Sequence, residues 1–111
     1  MELHNENRFN DVVDRVFEVL SSAFPLRIAV DAISLGLATQ KAYVTEDFED
    51  VATNDLDNHL FVAASVRWLQ TAGYLDAENV ADFYASGVIF TEKGLQLVGA
   101  SPMSLLRGNY S

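Results

Sequence analysis

The chain has no cysteine among its 111 residues. Disulfide bonds, thiolate nucleophiles and thiolate metal ligands are therefore excluded together, and this composition fits a reducing compartment. The sequence also lacks a run of about 18 apolar residues, so it predicts no membrane-spanning helix. Residues 1–7 are polar and acidic, unlike the basic and apolar start of a signal peptide. We expect a soluble, cytoplasmic protein with no membrane partner.

Basic residues are scarce. Seven lysines and arginines stand against 16 aspartates and glutamates, which gives a net charge of −9. Nucleic acids are bound by clustered cations that displace condensed counterions, whereas the cations here are spread along the chain from Arg8 to Arg107. On charge, a nucleic-acid partner is therefore not expected.

Motifs for catalysis or cofactor binding are lacking as well. The glycines are isolated, so no glycine-rich phosphate loop follows a predicted strand. His59 lies one helical turn from Asp55, but a metal site usually needs three or more ligands and the sequence offers no third at helical spacing. We therefore interpret His59 as a surface residue near a helix entrance. The sequence predicts no enzymatic activity, no cofactor and no metal.

The chain does have enough apolar residues for one core. Half of its residues are hydrophobic, and its length is that of one domain. We expect a single domain over 1–111 with a flexible start at 1–7 and an apolar tail at 103–111. This tail either packs back on its own domain or forms a homodimer. The apolar residues that would make either contact are Met103, Leu105, Leu106 and Tyr110.

Apolar spacing predicts the elements of the N-terminal third. Hydrophobic residues recur at helical spacing over 9–20, and Pro25 ends this helix. The β-branched composition of 26–30 is typical of a short strand. Asp31 is placed to cap a short helix over 32–37.

The central helix covers 56–72. Either Asn54 or Asp55 can cap its first turn, and Gly73 is placed to close it in a left-handed conformation. Its apolar residues cover a broad arc, so we expect burial on more than one side, with Trp68 as the anchor of the core. The positions expected to face outward are His59, Ala63, Arg67, Gln70 and Thr71.

Strand composition follows the central helix. Residues 74–77 and 84–91 predict the two strands of a hairpin, with the polar residues 78–82 at its tip. Thr91 then caps a last helix, which begins Thr-x-x-Gly-Leu.

This order of elements resembles the C-terminal half of winged-helix domains, in which a third helix is followed by a two-stranded wing. The residues that carry the resemblance are 66–75 (VRWLQTAGYL) and 88–95 (VIFTEKGL). The resemblance implies an α+β fold with three or four helices. Strand 26–30 and the wing hairpin would form its small antiparallel sheet. Function does not follow from the fold.

Segment 38–54 departs from that family, where a short turn joins the second and third helices. It is either a long connection, or Thr45–Ala52 forms the second helix and 53–55 the tight turn. Between residues 46 and 57 the sequence has acidic residues and no basic one. These form the candidate acidic partner surface: Glu46, Asp47, Glu49, Asp50, Asp55 and Asp57.

Two functions are compatible with this pattern, and they differ in the partner. In DNA-binding winged-helix proteins the third helix enters the major groove, so the resemblance implies Arg67, Gln70 and Thr71 as DNA contacts. Acids at the helix start and at the wing tip would then face phosphate, which is unfavourable. The sequence favours a non-enzymatic protein–protein interaction or regulatory module whose acidic surface meets a basic protein. A DNA-binding regulator is the first alternative, and a small ligand or metal binder is the second.

Overall fold

The computed structural model of the protein describes residues 5–99. These residues form an α+β fold of helices and small antiparallel sheets, which confirms the predicted class. The tail residues Met103, Leu105, Leu106 and Tyr110 lie outside the described residues. The elements in chain order are α1 (Glu6–Ala23), β1 (Ile28–Val30), β2 (Tyr43–Glu46), β3 (Glu49–Ala52), α2 (Leu56–Thr71), β4 (Leu75–Asp76), β5 (Asn79–Val80), β6 (Ala85–Phe90) and α3 (Glu92–Leu97).

The first helix agrees with the spacing of its apolar residues. One stripe of α1 is buried, formed by Val12, Val16 and Leu20, as expected for an amphipathic helix packed on a core. The helix begins at Glu6, so the start expected to be flexible is partly helical. It ends at Ala23, as the proline two residues later predicts.

Strand β6 is the centre of the larger sheet. On one side it pairs antiparallel with β1, with Val30 opposite Ala85. On the other side it pairs with β4, with Leu75 opposite Phe90, and with β5. The resulting order is β1–β6–β4. The pairing predicted between the strand at 26–30 and the second hairpin strand is therefore present.

The central helix has its buried face at a different position from the one expected. Trp68 is 55% exposed and packs edge-on against Phe9, with ring centroids 5.5 Å apart, so its prediction as the core anchor is wrong. His59 and Ala63, expected to face outward, are buried with Leu69 on the side that meets the core. The reason is that apolar residues lie almost all around α2, so its amphipathic pattern does not single out one face.

The short helix predicted over 32–37 is a single turn that is not continued. Asp31 does act as its cap, because its Oδ1 accepts from the Ser34 amide at 2.7 Å. Gly36 then adopts a left-handed conformation with φ of 75°, and the Leu37 amide donates to the Ala32 carbonyl at 2.8 Å. This closing pattern ends a helix, and here it follows the cap immediately.

Segment 38–54 contains a β-hairpin, which neither of its two predictions included. Strands β2 and β3 pair antiparallel, with Val44 opposite Val51 and Glu46 opposite Glu49. The second helix predicted over Thr45–Ala52 is therefore wrong. Asp47 and Phe48 form the turn, both with positive φ, which is the conformation of a tight two-residue hairpin. The helical interpretation followed the spacing of apolar residues and missed this turn, because Phe rarely adopts positive φ.

The C-terminal part follows the predicted caps. Gly73 closes α2 with φ of 92°, and the Thr91 hydroxyl accepts from the Gly94 amide at 3.2 Å at the start of α3. Gly94 lies against the Tyr74 carbonyl, and a side chain at this position would collide with it. The break and the last helix therefore pack directly on each other.

The corrected face of α2 is tested by two neighbouring substitutions. Leu69→Ala removes a side chain that is 2% exposed, so we expect unfolding free energy to fall by about 2–5 kcal/mol. Trp68→Ala loses mainly the edge contact with Phe9, so we expect about 1 kcal/mol. Both losses are measured by denaturation followed by circular dichroism. Tryptophan fluorescence cannot be used for both variants, because Trp68→Ala removes the only tryptophan of the chain. A larger loss for Trp68→Ala than for Leu69→Ala would contradict this orientation.

Candidate functional site

Segment 37–42 is held against the beginning of α2 by hydrogen bonds from side chains to the backbone. Oδ2 of Asp55 accepts from the amides of Thr39 and Gln40, each at 2.9 Å. His59 Nε2 lies 2.7 Å from the Gln40 carbonyl oxygen. Because a carbonyl only accepts, this nitrogen carries the proton.

Asn58 and Thr53 secure the two ends of the same segment. Asn58 Nδ2 donates to the Leu37 carbonyl at 3.0 Å, and the Thr53 amide donates to the Ala42 carbonyl at 3.0 Å. Thr53 also bonds the Lys41 carbonyl through its hydroxyl. The segment is therefore attached along its whole length. We call the four residues that hold it, which lie just before α2 and in its first turn, the clasp: Thr53, Asp55, Asn58 and His59.

The clasp corrects two expectations about the start of α2. Asp55 precedes the helix but makes no side-chain capping bond, because its carboxylate is turned toward the loop. His59 is 3% exposed and is not a surface residue. The amides of Gln40 and Thr39, with a smaller contribution from the nearby His59, lower the pKa of Asp55. Asp55 is therefore held ionised while it orders the loop.

The segment held by the clasp, 37–42, leads directly into the hairpin formed by β2 and β3. We call this hairpin the acidic hairpin (43–52). It is a separate two-stranded sheet, and every residue of both strands is exposed. Phe48 is fully exposed at its turn. Opposite residues Glu46 and Glu49 place two like charges side by side, an arrangement that destabilises a strand pair.

The structure divides the predicted acidic surface into two groups. Glu46, Asp47, Glu49 and Asp50 lie together on the acidic hairpin. Asp55 belongs to the clasp, and Asp57 forms an ion pair with Arg8 of α1 at 2.7 Å. Asp55 and Asp57 therefore have partners within the chain, although the Asp57 side chain is still 79% exposed. The four hairpin carboxylates are grouped on exposed strands and their turn, and Asp50 Oδ1 accepts from the Thr45 hydroxyl at 3.2 Å.

A cleft of about 430 Å³ opens at the base of the acidic hairpin. One part of its lining is aromatic, and the rings of Tyr43 and Phe83 meet edge-on with centroids 5.5 Å apart. The aromatic residues of the lining are Tyr43, Phe83 and Tyr84, and the other polar side chains of the lining belong to Asp31, Lys41 and His59. Sequence reasoning missed this cleft, because its residues come from four separate segments.

The residues implied as DNA contacts do not form a basic surface. Arg67 and Thr71 are exposed and Gln70 is half-buried, and Arg67 Nη2 donates to the Ala81 carbonyl oxygen at 3.4 Å. Other cations are engaged by the protein's own groups. Their partners are Asp57 for Arg8, Asp11 for Arg15, Asp76 for Arg27 and the Ala72 carbonyl for Lys93.

Comparison of the chain with protein-family models, curated proteins and solved structures gives no significant match. Within residues 5–99 no group of three histidine, aspartate or glutamate side chains is arranged to hold a metal ion. In that same part of the chain, no helix has the length and apolar character needed to cross a membrane.

The lowered pKa of Asp55 makes the clasp sensitive to acid. A carboxylate whose folded pKa is depressed stabilises the fold fully above its unfolded pKa of about 3.9, and this contribution is lost as pH falls through the folded value. We therefore expect Asp55→Asn to destabilise the protein at neutral pH, with a difference from wild type that shrinks below about pH 4.

Urea denaturation at neutral pH and at about pH 3 measures that difference. Asp14→Asn, on the exposed face of α1, is the matched control. A cost of Asp55→Asn that is the same at both pH values would contradict the role of its ionised carboxylate.

Proposed function

We propose that this protein is a non-enzymatic, cytoplasmic protein-binding module whose acidic hairpin docks on a basic protein surface. The observation that carries this proposal is the exposure of the hairpin along both strands. A two-stranded hairpin is marginally stable in water unless a hydrophobic face packs on something. A partner protein would supply that packing.

The side chains of the hairpin suit a partner that is both apolar and basic. Val44 and Val51 lie opposite each other and are each more than one-third exposed, and Phe48 extends from the turn. These residues offer apolar contact area next to the facing pair Glu46 and Glu49. Lysine or arginine side chains of a partner would relieve the repulsion between those carboxylates and set the register of docking.

The architecture that we propose for the module is winged-helix-like. The strand order β1–β6–β4 and the placement of α2 before the hairpin strands support it. The turn at 31–36 and the acidic hairpin stand between β1 and α2, where the winged-helix family has its second helix. On this proposal a protein-binding hairpin replaces part of the DNA-binding element.

The distribution of cations supports a protein partner over a nucleic acid. DNA binding requires cations that are available to phosphates. Arg8, Arg15 and Arg27 each form an ion pair with a carboxylate of this chain, and Arg67 is directed toward a backbone carbonyl. The net charge of −9 adds repulsion at long range.

Charge neutralisation tests the proposed docking. The probe is a short fluorescent peptide of alternating arginine and serine at about 50 mM salt, where electrostatic binding is strong. Removing the hairpin charges should weaken binding about tenfold, because local complementarity is lost. The hairpin variant combines Glu46→Gln, Asp47→Asn, Glu49→Gln and Asp50→Asn.

The control changes the net charge by the same amount away from the hairpin. It combines four exposed positions on α1 and α3, Glu6→Gln, Asp14→Asn, Glu18→Gln and Glu92→Gln. We expect this control to weaken the peptide less than about threefold, since only long-range attraction changes. Equal losses in both variants, or binding of duplex DNA by the unmodified protein under the same conditions, would contradict the proposal.

A further inference from the structure

The cleft at the base of the acidic hairpin has walls suited to a positively charged group. Tyr43 and Tyr84 are 42% and 45% exposed, so part of each ring is available to a ligand. Phe83 packs edge-on against Tyr43, with ring centroids 5.5 Å apart. The faces of aromatic rings carry negative potential and attract ammonium and guanidinium groups.

The polar groups of the cleft also favour a cation. Oδ1 of Asp31 accepts from the Ser34 amide at 2.7 Å, and within residues 5–99 its Oδ2 makes no hydrogen bond. Asp31 lines the cleft, so its carboxylate retains acceptor capacity for a donor bound there. His59 already uses Nε2 on the Gln40 carbonyl, so this nitrogen belongs to the clasp and not to the ligand.

Lys41 lines the cleft and carries a positive charge that opposes a bound cation. It is exposed, and its long flexible side chain can move its ammonium group into solvent. Its charge would still reduce the affinity for a second cation. A variant without this charge should therefore bind a cation more tightly, whereas loss of an aromatic ring should weaken binding.

We propose that this cleft binds the guanidinium or ammonium group of an arginine or lysine side chain presented by the basic partner. The inference rests on the proposed docking of the acidic hairpin and names the pocket that receives one side chain of that partner. Tyr43 begins β2, so the aromatic wall is continuous with the strand that carries Glu46. A basic segment lying along the hairpin would reach the cleft without leaving the surface.

The cleft has room for such a group. Its volume of about 430 Å³ lies within the range of about 300–1,000 Å³ that is usual for small-ligand sites. Most of its lining is apolar, which suits the methylene stem of a lysine or arginine side chain. Asp31 and the tyrosine rings would then meet its charged end.

Nuclear magnetic resonance of the full chain tests this site with a pair of probes of equal shape. The first probe is N-acetyl-arginine methylamide, and the second is the citrulline analogue, which replaces the guanidinium by a neutral urea. We expect the ring resonances of Tyr43, Phe83 and Tyr84 to shift saturably with the arginine probe. The citrulline probe should bind about tenfold more weakly, because it lacks the charge.

Two variants make the expected result specific. Tyr84→Leu keeps apolar volume but removes one ring, and should weaken the arginine probe about fivefold. Lys41→Met removes the opposing ammonium and should strengthen it about threefold. Equal binding of the two probes, or shifts confined to 44–51 while the rings stay unchanged, would overturn the cleft as a cation site.

Two measurements together separate this inference from the docking proposal. One is binding of the arginine–serine peptide by the four-carboxylate hairpin variant, and the other is titration of the two small probes. If the peptide needs the hairpin carboxylates but neither small probe shifts the rings, the cleft site is refuted and the docking proposal stands. If the arginine probe still fills the cleft while the peptide ignores the hairpin charges, the cation site is supported and docking through the hairpin is refuted.

Discussion

The clasp between α2 and segment 37–42 is the constraint on which the candidate site depends. Asp55 holds two loop amides and His59 a loop carbonyl, so the chain arrives at Tyr43 in a fixed position and direction. The acidic hairpin and the aromatic wall of the cleft both begin at that residue. The buried core fixes α2, α2 fixes the loop, and the loop fixes the surface available to a partner.

This dependence separates a stable body from an exposed extension. Val16, Val66 and Val88, from α1, α2 and β6, are fully buried in one core, whereas β2 and β3 contribute no buried residue. Such a division lets the hairpin change its sequence or its packing without cost to the core. Protein-binding segments are commonly carried in this way on a rigid scaffold.

Local signals predicted the fold where short-range chemistry decides the structure. The helical spacing of α1, the left-handed Gly73 and the Thr91 cap all act within one or two turns. The orientation of α2 depended instead on which of several apolar sides met the core, and that is a tertiary choice. The cleft could not be anticipated, because Asp31, Tyr43 and Phe83 are distant in sequence. A signal for the clasp did exist, since Asp55 and His59 share one helix face.

The most direct test of the account is photo-crosslinking in the native cell with benzoylphenylalanine at Phe48, the fully exposed residue of the hairpin turn. The control places the same group at Leu26, which is 69% exposed and lies outside the hairpin. We expect Phe48 to give a discrete adduct with a protein that has a basic surface, and Leu26 to give none. Equal adducts at both positions, or none at Phe48 while Leu26 reacts, would contradict the hairpin as the docking element.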